Sequence, residues 1–277
     1  MTHRESEITE GAFMKITNDF HVHTHYSICG QDSATVEHYV ATAKKLGLKK
    51  IGFSDHFGDG NIPGARGFYR AHPFEHNAQL KAELAKVNEP GLQLYFGCET
   101  EYHTPRREVA ITEAEAEQFD FVVVPNSHTH MIMPKEYITN YDKHVEFMVQ
   151  AYEDILNSKV SRYITAMAHP FDVCLMPFDP KILIEMIPDD TFTRLFDKTA
   201  EKNIAFEINV AYSKNMTPQQ IADDCHMRMF SLAKDYGCKF TFGSDSHDNK
   251  QHDFYPNADI IANLLGLKED DLAPICR

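Results

Sequence analysis

The chain has 277 residues, 43% of them hydrophobic and 11% aromatic, which is enough apolar material for one buried core. No run of eighteen apolar residues is present, which excludes a membrane-spanning helix, and the net charge of -14 argues against a long nucleic acid as main partner. A small anion held at a local positive site stays compatible with that charge. The six cysteines (Cys29, Cys98, Cys174, Cys225, Cys238 and Cys276) show no CxxC spacing, as expected of reduced thiols in a cytoplasmic protein. Residues 1–13 lack the apolar centre of a signal peptide and read as a polar extension, leaving 14–277 as a single domain.

The first predicted strand, Ile16 to Val22, opens the stretch DFHVHTHYS (Asp19 to Ser27). His21 and His23 are two apart, so strand geometry turns both rings to one face and lets them reach one metal ion. A helix follows from Ser33 or Ala34 to Leu46, ended by Gly47, and then a strand from Lys49 to Ser54 running into Asp55-His56. Residues 57–72 form a long glycine-rich loop carrying Arg66 and Arg70. Phe74 to Val87 is helical, Leu92 to Phe96 is a strand leading to Glu99 and Glu101, and Ile111 to Gln118 is a short acidic helix.

Phe119 to Val124 is the fourth strand, ending at Ser127-His128-Thr129-His130, and Tyr141 to Asn157 is the clearest amphipathic helix. Arg162 to Ala168 forms the fifth strand before His169-Pro170. Helices at Pro180–Met186 and Thr191–Lys202 precede a sixth strand, Ile204 to Asn209. One helix from Pro218 to Tyr236 leads to the seventh strand, Cys238 to Gly243, and a last helix covers Ala258 to Leu265. Strands alternating with helices imply a parallel α/β sheet with right-handed crossovers. Ligand-type residues at six strand ends favour a barrel, whose mouth gathers all of them, over an open sheet with one switch point.

The ordered motifs DFHVHTHYS, SDH, GCE, SH, HP and GSDSH resemble those of the PHP (polymerase and histidinol phosphatase) family across residues 19 to 247. The resemblance implies a distorted, TIM-like (β/α)7 barrel holding two or three divalent ions (Zn, Mn or Fe). It implies hydrolysis of phosphate esters by a hydroxide bridging the ions, with a free-standing histidinol-phosphatase-like member as the nearest pattern. On matching motifs, His21, His23 and Asp245 would bind a first ion. Glu99 would bridge it to a second held by His128 and His169, and His56 and His247 would hold a third. Where the histidinol-phosphatase pattern has a further histidine, this chain has Cys29, either a thiolate ligand or a buried thiol.

Asp55 is expected as a proton-transfer group or an orienting acceptor, beside Glu99 and Asp245 in the catalytic set, and Asp19, Glu101 and Glu207 as orienting acceptors or polar lining. His25, His103 and His130 fall beside motifs, and His130 rivals His128 as ligand. His3, His38, His72, His76, His144, His226 and His252 are assigned to surface or helix faces. Arg66, Arg70, Arg106, Arg107, Lys135 and Lys214 sit on loops after strands and are the candidates for binding substrate phosphate. The expected substrate is a small phosphomonoester. Phosphodiesterase or exonuclease action on small nucleotides, an amidohydrolase and a non-catalytic metal-binding module are the alternatives.

Overall fold

The computed structural model describes residues 13–61, 74–248 and 252–277. Seven parallel strands lie side by side in chain order: β1 (Asn18–Val22), β2 (Lys50–Phe53), β3 (Gln93–Thr100), β4 (Phe121–Pro125), β5 (Ala166–Ala168), β6 (Ala205–Asn209) and β7 (Phe240–Gly243). The two edges meet, since Val22 bridges Ser246 and the amides of His23 and Asp245 donate to the carbonyls of Ser246 and His21 at 2.8 Å each. The sheet is thus a nearly closed (β/α)7 barrel. Around it run α1 (Val36–Leu46), α2 (Phe74–Leu84), α3 (Tyr141–Asn157), α4 (Asp189–Glu201), α5 (Cys225–Asp235) and α6 (Asn257–Leu264). No helix of the described residues is long and apolar enough to cross a membrane.

Local chemistry sets the element ends. Thr35 caps α1 by accepting from the His38 amide, and Gly47 closes it at φ 73°, a left-handed conformation that glycine adopts without Cβ strain. Inside the barrel Phe20 of β1 meets Phe121 of β4 edge-on at 5.4 Å, across two intervening strands. Those strands make room with glycine: a Cβ on Gly52 or Gly97 would stand 2.6 or 2.2 Å from these rings. The aromatic plug therefore depends on two small residues beside it.

Several expected elements differ. The strand expected from Arg162 begins at Ala166, because Ser161–Tyr163 closes a 3-10 turn on Val160 first. The helix expected over Pro218–Tyr236 is two, since the Asp224 side chain accepts from the His226 amide and caps a fresh start at Cys225. The acidic helix of 111–118 is a single turn, Glu113–Ala116, held by a Thr112–Glu115 capping box. A hairpin, Tyr102–His103 with Glu108–Val109, follows β3 with no clear alternation to announce it.

Candidate metal centre

All the ligand-type motif residues gather at the C-terminal ends of the strands, around Glu99. Glu99 lies inside β3, because the strand runs past Phe96 to Thr100, and the short segment His56–Phe57 pairs with this extension. Its Oε2 faces His21 and His23 at 3.6 and 3.4 Å and His56 at 3.2 Å. Its Oε1 faces His169 at 3.1 Å and His128 at 3.7 Å. Asp245 approaches from β7, with Oδ1 3.5 Å from His21 Nε2 and 3.3 Å from His23 Nε2. One carboxylate thus stands between two sets of imidazoles, and a second closes one of them.

The rings are oriented from behind. His21 Nδ1–H donates to Glu207 at 2.9 Å, His128 Nδ1–H to Glu101 at 2.7 Å, and His247 Nδ1–H to the carbonyl of Asp245 at 2.8 Å. Ser127 Oγ lies 2.6 Å from His169 Nδ1. A donating Nδ1–H leaves Nε2 as a lone pair, the form in which imidazole ligates a metal. The Nε2 atoms of His21 and His23 stand 3.1 Å apart amid carboxylates, a set of nitrogen and oxygen donors that fits zinc, manganese or iron. His169 and Asp245 hold positive φ, 26° and 51°, a backbone strain that side chains other than glycine accept where surrounding structure enforces it.

Electrostatics matches this arrangement. Burial opposes charge on Glu99, yet His128, His21 and His56 hold its carboxyl well below the usual range. Burial also resists charge on His128, but Glu101 and Glu99 raise it to about 9. His23 goes the other way, lowered to about 4 by burial and by His247. The carboxylates stay ionised and the positive charge they call for is one that cations can supply.

The remaining expectations divide. Asp55 is buried, its carboxyl raised to about 6 by burial against the opposing hydrogen bonds of Thr24 and Ser27. Its two oxygens accept from Thr24 N and Thr24 Oγ1, which pins the 24–27 turn. Asp19 accepts from the amides of His21 and Ser244 and pairs with His252 at 2.9 Å, binding the first motif to the last. His128, not His130, comes to Glu99, while His130 lies 3.6 Å from Cys174 Sγ on the cavity wall. His144 and His226 lie on faces of α3 and α5, as expected, but are buried there, and His252 is buried outside any helix, which corrects its assignment; each finds a partner, Thr129, Asp224 and Asp19 respectively.

Arg106 and Arg107 do not line the centre's cavity, because their guanidinium groups pair with Glu108 and Asp154. Lys135 is exposed and also absent from that lining. Arg66 and Arg70 lie outside the described residues, as do residues 1–12 of the polar extension. Lys214 does line the cavity, a space of about 500 Å³ over Glu99, His56, His128, Asp245 and His247, walled by Met131, Leu175 and Phe254. Sequence periodicity gave no sign of these apolar walls, which come from the separate segments that follow β4, β5 and β7. A larger cavity of about 1080 Å³ opens at the opposite end of the barrel, among Met14, Lys49, Lys50 and Leu272, and holds none of the motif residues.

Fold and donor set together define a parallel α/β barrel with a histidine- and carboxylate-rich metal centre at its mouth. The chain belongs to the PHP domain family, whose model matches residues 19–266. It is 23% identical over 248 residues to a "probable phosphatase" of Clostridium botulinum, covering 90% of this chain and 86% of that one. The fold is also that of histidinol phosphate phosphatase from Lactococcus lactis, solved with zinc, L-histidinol and phosphate: TM-score 0.61 at 18% identity, over 90% of this chain and 93% of the other. A second solved structure, from Listeria monocytogenes, superposes at TM-score 0.60 and 15% identity, over 84% and 96% of the two chains.

Proposed function

We propose that this protein is a metal-dependent phosphomonoesterase acting on a small phosphorylated metabolite. The observation that carries the reading is Glu99, one buried carboxylate with each oxygen turned to its own set of histidines. In this reading His21, His23 and Asp245 would hold one ion, His128 and His169 a second and His56 and His247 a third, with Glu99 between the first two sets. When bound, such ions supply positive charge for the phosphoryl oxygens and a water nucleophile at neutral pH. Glu207 and Glu101 keep the rings of His21 and His128 in their ligating form.

Lys214 stands in the cavity wall as the partner for a phosphate dianion, and Met131, Leu175 and Phe254 offer apolar surface to the leaving group. Asp55, with both oxygens on Thr24, acts as the anchor of the 24–27 turn and not as a proton carrier. The fold shared with the Lactococcus enzyme, which was solved with L-histidinol and phosphate, supports a histidinol phosphate-like monoester as substrate. The test is release of inorganic phosphate from a panel of monoesters including L-histidinol phosphate, after zinc or manganese reloading, beside Asp245→Ala. Rapid release lost in the variant is expected. No release from any monoester, with turnover of diesters, would overturn the monoesterase reading.

A further inference from the structure

A second group of donors shares His23 and His56 with those around Glu99. His23, Cys29, His56 and His247 each offer a donor atom within 4.8 Å of the others. The His23 ring stacks with those of His56 and His247, at 4.6 and 4.3 Å between centroids. His23 is wholly buried and its Nδ1 has no hydrogen-bond partner, while the Nδ1–H of His247 is spent on the carbonyl of Asp245.

The turn that carries Cys29 is strapped to this group from both sides. The His56 amide donates to Ser27 Oγ at 2.9 Å, and the Gln31 amide donates to the carbonyl of His247 at 2.9 Å. Gly30 lets the turn close, since a Cβ there would stand 1.9 Å from the Thr24 carbonyl oxygen. Cys29 is therefore delivered to the three imidazoles by a turn with little freedom to carry it elsewhere.

We infer that Cys29 is a thiolate ligand of the third cation site, and that it makes this site selective for zinc over manganese. The inference rests on the metal-centre reading above and deepens it. Sulfur and nitrogen donors together suit zinc, whereas manganese prefers carboxylate, carbonyl and water oxygens. The Glu99-centred donors are nitrogen and oxygen only and carry no such bias. One of the cations is thus held by softer chemistry than its neighbours.

The test uses the full chain, stripped by a chelator and reloaded with cobalt(II) as a spectroscopic probe. Wild type is expected to show a near-ultraviolet sulfur-to-cobalt charge-transfer band. Cys29→Ser should lose that band together with one equivalent of cobalt, its remaining equivalents reporting an intact fold. Cys29→His should regain the equivalent without the band, and should exchange zinc for manganese more readily than wild type. Cobalt bound to wild type with no charge-transfer band, or equal metal content in Cys29→Ser, would overturn the thiolate ligand while leaving the Glu99 centre standing. If wild type retains no cobalt at all, both readings fall together.

Discussion

At the scale of single residues, the centre depends on side chains that need not touch a cation. Glu207 and Glu101 are both buried and each faces the back of one imidazole, so either replaced by an amide still fills its space but accepts more weakly. Glu207→Gln and Glu101→Gln should each lower metal affinity or turnover by about 10–100-fold, as partners behind metal-binding histidines do. Metal content by mass spectrometry beside phosphate release measures this. Unchanged affinity in both variants would mean the rings keep their orientation without these carboxylates.

Among elements, β7 packs tightly against β1 and β6. A Cβ at Gly243 would stand 2.5 Å from His21 Cβ and 3.0 Å from Glu207 Cδ. Gly243→Ala should therefore cost about 1–3 kcal/mol and lower metal affinity, because the crowded atoms belong to a donor and its support. Gly97→Ala crowds Phe121 instead, at 2.2 Å, and should cost comparable stability. Urea unfolding with metal titration separates the two.

The start of α5 offers a pH-dependent case. Burial opposes charge on His226, but Asp172, 3.6 Å away, and Asp224, at 2.6 Å, raise its pKa well above the ordinary value. A raised histidine contributes stability in full below its unfolded pKa of about 6.5 and loses it as pH rises through the folded value. His226→Gln should destabilise by about 3 kcal/mol near pH 6 and by less in alkaline buffer, judged by urea midpoints at each pH. A loss that grew with pH would contradict the ion pair.

For the whole molecule, the strand ends meet at one mouth, so cations bound there would tie β1, β3, β4, β5 and β7 together. Ligands that bind only the folded state raise stability by mass action, about 2.7 kcal/mol for one ion at a hundredfold excess over its Kd. Chelation should lower the calorimetric Tm by several degrees and zinc or manganese should restore it. Glu99→Ala should show a much smaller difference between stripped and reloaded protein.

The alternation of strand and helix, and the ligand types after each strand, follow from hydrophobic period and residue chemistry, both local properties written along the chain. Tyr141–Asn157 is the extreme case, with its bounds set by its own pattern and the Asn140 cap. Where Arg162 to Thr165 would turn out of strand, and where Asp224 would restart a helix, depended on single hydrogen bonds that periodicity does not register. Only the closed barrel could decide that His128 and not His130 meets Glu99, that Arg107 is spent on Asp154, and that Cys29 lies with His56 and His247. Those outcomes are distances between residues far apart in sequence, set by how strands of fixed pitch close into a ring. The residue types were local, whereas their convergence belongs to the fold.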